Sequence, residues 1–102
     1  MNILKVIKAL ANETRIQILH WLKEPEENFK TCLGNKTFND EMGVCVGVIQ
    51  QKSGLSQSTI SHYLAILEDA GLVQVHRSGQ WTYYKRDEAR IKSFSQMLEK
   101  EL

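Results

Sequence analysis

Three features of the sequence predict a mainly α-helical domain that carries one β-hairpin. Apolar residues recur three and four positions apart in several stretches, as on the buried face of a helix. Serine, asparagine and aspartate stand where such stretches begin, and glycine or proline where they end. Between Leu72 and Lys85 the spacing changes to alternate residues rich in valine, tyrosine, tryptophan and threonine, which is strand chemistry.

The chain has 102 residues, 42% hydrophobic and 25% charged, enough for one domain with one modest core. It reads as a single domain over 1–102, interrupted by an irregular loop at about 25–43. A net charge of +1 neither favours nor opposes a nucleic-acid partner, because a local basic patch matters more than the total. No apolar run approaches the roughly 20 residues of a membrane span. Lys5 and Lys8 interrupt the apolar residues at the amino terminus, so no signal-peptide pattern is present. The two cysteines, Cys32 and Cys45, make no disulfide framework, and a reducing cytoplasm is the expected setting.

The first helix is expected over 2–11, with Ile3, Leu4, Ile7 and Leu10 on its apolar side. So short a helix has little to pack on within one protomer, which makes it a candidate dimer element. The second runs from a cap at Asn12 to about Lys23, before Pro25. The stretch 25–43 then loses periodicity but keeps Phe29, Cys32, Leu33 and Phe38, so partial packing is expected of it. A third helix is expected over Val44 to Ser53, with Cys45, Val48, Ile49 and Lys52 on one stripe and an unexplained Gly47 inside.

The segment Gly54 to Val73, GLSQSTISHYLAILEDAGLV, carries the most information. Gly54 permits a turn, Ser56 is placed to cap a helix, and Gly71 can close it in the left-handed conformation. Ile60, Leu64 and Leu67 form the apolar stripe, widened by Tyr63 and Ile66. The opposite face offers Ser58, Ser61, His62 and Ala65, which are small or polar and uncharged, as suits a DNA major groove about 12 Å wide. Glu68 and Asp69 at the far end would repel phosphate, so only the amino-terminal half can approach nucleic acid. An ordinary amphipathic helix with a serine cap has the same pattern, so the motif needs its surroundings.

Those surroundings are a hairpin, Leu72 to His76 and Trp81 to Lys85, joined by Arg77, Ser78, Gly79 and Gln80. Between Asp69 and Asp87 there is no acidic residue, but there are Arg77, Lys85, Arg86 and His76. A solvated hairpin would look the same; next to a helix-turn-helix it has the character of a wing straddling phosphates. Asp87 and Glu88 open a last helix in which Ile91, Phe94, Leu98 and Leu102 recur, with Met97 alongside. That stripe implies subunit contact or a fold back onto its own domain.

The motifs Ala9-Leu10-Ala11-Asn12-Glu13-Thr14-Arg15 with Ile18-Leu19, Gly54 through Leu64, Ala70-Gly71-Leu72-Val73, and Gly79 with Tyr83-Tyr84 together resemble the ArsR/SmtB family of winged-helix repressors. Apart from the loop, the resemblance covers nearly the whole chain. It implies a winged helix-turn-helix in the order α-α-α-α-β-β-α, a homodimer joined through the first and last helices, and repression from an inverted-repeat operator in double-stranded DNA. Carried across by position, Gln57, Ser58 and His62 would meet base edges, and Ser56, Thr59 and Ser61 mainly phosphates; for Thr59, local capping and packing is an equal reading. Arg77, helped by Gln80, would be the wing contact.

Departures from the metal-sensing members are as informative. Where many carry Cys-x-Cys this chain reads Cys45-Val46-Gly47, and its last helix has no histidine to accompany Asp87 and Glu88. One soft ligand is too few for a transition metal, so neither metal nor cofactor is expected. Cys32 and Cys45 remain a candidate redox switch, although Cys45 on an apolar stripe also reads as a buried small side chain. A small-molecule effector is the other option. Two further functions are weighed. A winged helix used for protein–protein contact would need an apolar recognition face, and an enzyme would need a catalytic cluster. His62, about 100° around the helix from Ser61, forms no nucleophile–base pair with it.

Overall fold

Four short polar side chains set the helix starts in the computed structural model, which describes residues 2–29, 38–39 and 41–102. Asn2 accepts a hydrogen bond from the Lys5 amide, Asn12 from Arg15, Ser56 from Thr59 and Asp87 from Arg90, satisfying amides that have no partner inside the first turn. The helices they open are α1 (Ile3–Leu10), α2 (Glu13–Lys23), α5 (Gln57–Asp69) and α6 (Glu88–Glu101). Between α2 and α5 lie the one-turn helix α3 (Pro25–Asn28), strands β1 (Phe38–Asn39) and β2 (Gly43–Cys45), and helix α4 (Val46–Ser53). Strands β3 (Val73–Ser78) and β4 (Trp81–Arg86) separate α5 from α6.

The result is a winged helix-turn-helix, as the sequence predicts. Ile60, Leu64 and Leu67 of α5 are fully buried against Ile18 and Leu22 of α2, Ile49 of α4, and Val44 and Leu72. The hairpin extends into an antiparallel sheet in the order β1-β2-β4-β3.

Several boundaries differ from expectation. Val44 and Cys45 begin no helix: they form β2, paired with Tyr84 and Tyr83 of β4, and α4 starts at Val46. A short apolar run gives strand and helix the same signature, and Gly43 decides between them. It has φ +105°, and a Cβ there would stand 2.1 Å from the Tyr84 carbonyl oxygen, so only glycine lets β2 lie against β4. Cys45 is therefore a strand residue, 6% exposed, rather than part of a helical stripe.

Part of the stretch expected to be irregular forms regular structure, α3 and β1. Pro25 occupies the first turn of α3, where its missing N–H costs nothing. Asn28 Nδ2 donates to the carbonyls of His20, Trp21 and Glu24, closing the end of α2. Phe29 is buried, in keeping with the partial packing expected there. Residues 30–37 and 40, Cys32 and Leu33 among them, lie outside the described residues.

Helix α1 has more to pack on than its length suggests. Val6 and Ala9 are buried, and the helix touches α2, α5 and α6. Its other face leaves Leu4 56% and Ile7 44% exposed. On α6, Phe94 is buried and Ile91 and Leu98 pack against the core, so part of its stripe does fold back, while Leu102 stays in solvent.

Candidate nucleic-acid interface

The turn before α5 is built from hydrogen bonds on both sides. Gly54 ends α4 in the left-handed conformation (φ 71°), and its amide donates to the Gln50 carbonyl. Gln50 Nε2 also donates to the Leu55 carbonyl (3.3 Å), and the Leu55 amide to Ser53 Oγ (3.1 Å). These contacts hold α4 and α5 at a fixed angle and bring Ser56 to the start of α5. Ser56 Oγ accepts the Thr59 amide at 3.2 Å, donates to Thr59 Oγ1 at 2.9 Å, and lies 3.3 Å from Ser58 Oγ.

Ser58, Ser61, His62 and Ala65 are all exposed along one face of α5, with Gln57 exposed at its start. Their common exposure follows from the burial of Ile60, Leu64 and Leu67 behind them. No large apolar side chain of α5 is exposed; Leu55, in the turn, is 38% exposed. Thr59 is half-buried with its hydroxyl engaged by Ser56, which matches the capping and packing reading of that residue. The amino end of α5 therefore offers small donors, a serine-capped first turn and the positive end of a helix dipole, a set suited to phosphate oxygens and base edges.

The wing is longer and its turn tighter than expected. Ser78 pairs with Trp81, leaving only Gly79 and Gln80 in the turn, with positive φ on Gly79 alone, the glycine-first pattern of a type II′ turn. Arg77 is thus a strand residue opposite Thr82, exposed near the tip, and Gln80 is exposed at the tip itself. Of the other basic residues in the segment, Arg86 turns away: its side chain is 14% exposed, its Nε lies 3.0 Å from Glu88 Oε2, and its Nη2 donates to Glu88 Oε1 at 3.1 Å at the start of α6. His76 is half-buried, and Lys85 is half-buried on the same sheet face. Arg77 is left as the exposed cation of the wing.

Behind the wing, burial pushes the Tyr84 hydroxyl pKa above its ordinary value. The Glu68 carboxylate adds to this and the Arg77 guanidinium partly offsets it. Among the described residues no three His, Cys, Asp or Glu side chains gather into a metal-binding group. Cys45 is free and buried; its suggested partner Cys32 lies outside the described residues.

Two contacts that sequence reasoning did not single out tie α1 to the recognition helix. Arg15 reaches the last carbonyls of α1 and stacks over Tyr63, and Lys5 Nζ lies 3.1 Å from Asp69 Oδ2. Arg15 stands in the Ala9–Arg15 motif, and two of its partners are the nearby Lys8 and Ala9 carbonyls, but Tyr63 is far along the chain and nothing local announces that contact.

A capped, polar, uncharged helix face beside a basic-tipped hairpin is the arrangement of a winged-helix DNA-binding regulator. The comparisons agree. Residues 44–75 match the model of the bacterial regulatory protein arsR family. The chain is 46% identical over 102 residues, 100% of both chains, to the HTH-type transcriptional regulator YbzH of Bacillus subtilis. It is 34% identical over 79 residues, 78% of this chain and 69% of the relative, to the transcriptional repressor SdpR of the same organism. Among solved structures, the homodimeric winged helix-turn-helix DNA-binding domain Mb0332 of Mycobacterium bovis aligns with a TM-score of 0.63 and 29% identity, covering 97% of this chain and 79% of that one. The chain belongs to the arsR family of bacterial transcriptional regulators.

Proposed function

We infer that the chain works as a homodimeric repressor that binds an inverted-repeat operator, with one α5 in each of two successive major grooves. The observation that carries this reading is the α5 face: Gln57, Ser58, Ser61 and His62 exposed together, backed by fully buried Ile60, Leu64 and Leu67. Gln57, Ser58 and His62 read base edges; Ser56 and Ser61 hold phosphates, with Thr59 steadying the Ser56 cap; Arg77, with Gln80, tracks the backbone from the wing. The seam of the dimer forms on α1, where Leu4 and Ile7 stay exposed, together with α6 and the exposed Leu102 that follows it. Repression follows if the operator overlaps a promoter, and the cytoplasm is the compartment where this occurs.

Any signal is sensed through a thiol or a small molecule rather than a metal. Cys45 is a free thiol and Cys32 its candidate partner; thiol titration before and after mild peroxide, with operator affinity measured in parallel, tests that switch. A protein–protein role finds no support on α5, whose outward face lacks the apolar patch such contacts need.

Selection of binding sites from a random DNA pool tests the main reading. The enriched sequences should be pseudo-palindromes with half-site centres about one DNA turn, roughly 34 Å, apart, and affinity should fall steeply with added salt. Enrichment of no sequence at low ionic strength would overturn it.

A further inference from the structure

Arg15 is engaged on three sides by groups from two other helices. Its Nε donates to the Ala9 carbonyl at 2.7 Å and its Nη2 to the Lys8 carbonyl at 3.1 Å, both at the carboxyl end of α1. The guanidinium carbon lies 5.3 Å from the centroid of the Tyr63 ring on α5. The first pair of contacts gives the Ala9 carbonyl a partner, adds a second donor to the Lys8 carbonyl beside the Ala11 amide, and sets a cation at the negative end of the α1 dipole. The third is a cation–π contact, for which the flat guanidinium is better suited than a lysine ammonium. Tyr63 adjoins His62 and flanks the stripe whose reverse side is the exposed polar face.

We propose that Arg15 is a positioning residue that locks the recognition helix to the first helix and so fixes the distance between the two recognition helices of a dimer. The inference rests on the homodimeric DNA-binding reading above. If α1 forms part of the subunit seam, the angle between seam and recognition helix sets the half-site spacing the dimer accepts. Arg15 acts on that angle directly, because one planar group is held by the end of α1 and the flank of α5 at once. The Lys5–Asp69 pair lies on the same two helices but is exposed at both partners, so it contributes little.

The variants Arg15→Lys, Tyr63→Leu, Tyr63→Phe and Arg15→Lys combined with Tyr63→Leu test this on two operators: the selected sequence, and the same sequence with one base pair inserted between its halves. Lysine keeps the charge and can reach one carbonyl but offers no planar face; leucine keeps the apolar packing without the ring. Arg15→Lys and Tyr63→Leu should each cut affinity for the native spacing about fivefold, the size of effect that 1 kcal/mol produces, and lose much less on the lengthened operator. Their combination should be no worse than either alone, and Tyr63→Phe should behave as wild type. In the free protein, amide hydrogen exchange of Arg15→Lys should quicken both in the last turn of α1 and around Tyr63, while the hairpin is unchanged.

Equal losses on both operators, additive effects in the double variant, or unchanged exchange in either helix would overturn the proposal. Wild-type protein that ignores both operators overturns the DNA-binding reading instead, and the exchange pattern still decides whether Arg15 holds the two helices together.

Discussion

At the residue scale the interface divides by chemistry. In the proposed interface the exposed Arg77 on its strand supplies a cation for phosphate, whereas Gln57 and Ser58 supply directional hydrogen bonds for base edges. Arg77→Ala should therefore weaken binding to all sequences alike and lower the salt dependence by about one phosphate contact. Gln57→Ala should reduce discrimination at one base position and leave that salt dependence intact. Titrating operator and scrambled duplex across a salt series separates the two, and the reverse pattern would refute the assignments. Tyr84 makes a prediction of another kind. Its pKa is raised in the fold by burial, then by Glu68, so the neutral phenol is the form the fold favours. That contribution is complete below the ordinary tyrosine value of 10.0 and is lost as pH rises through the higher folded value. Urea unfolding across alkaline pH should show stability falling above about pH 10, and falling less in Tyr84→Phe.

At the scale of elements, two glycines near the start of α4 should respond oppositely to the same change. Gly43 has positive φ, and a Cβ would strike the Tyr84 backbone, so Gly43→Ala should cost at least about 1–3 kcal/mol and loosen β2. Gly47 sits within α4 with no heavy atom within 4 Å of where a Cβ would stand, so Gly47→Ala should gain up to about 1 kcal/mol. Denaturant midpoints measure both, and equal signs would contradict the structure.

The same elements show what can be read from sequence. α5 was legible to within a residue, because its cap, stripe and terminal glycine all point the same way. The caps at Asn12 and Asp87 fixed α2 and α6 for the same reason. β2 was not legible: Gly43–Cys45 runs directly into α4, and its strand character comes from β4, far along the chain. The wing tip was misplaced because Arg77 and Ser78 look like turn residues, while the backbone needs only Gly79 and Gln80 there. Within the site, exposure on α5 followed from periodicity. That Arg86 pairs with its near neighbour Glu88 depends on how β4 turns into α6, and that Arg15 meets Tyr63 depends on tertiary geometry that no local pattern encodes.

At the scale of the whole molecule, the proposed function needs two copies. One protomer presents a single short reading face, and apolar side chains stay exposed away from it: Leu4 and Ile7 on α1, Ile16 on α2 and Leu102 after α6. Ile7→Glu should yield a folded monomer by sedimentation and lose about a hundredfold or more in operator affinity, because the second half-site no longer acts in concert with the first. The central claim is that two such faces meet adjacent turns of one duplex. Hydroxyl-radical footprinting of the protein on its selected operator measures this most directly. Two symmetric protected patches with centres about 10 base pairs apart are expected; a single protected patch, or protection that ignores the sequence, would contradict it.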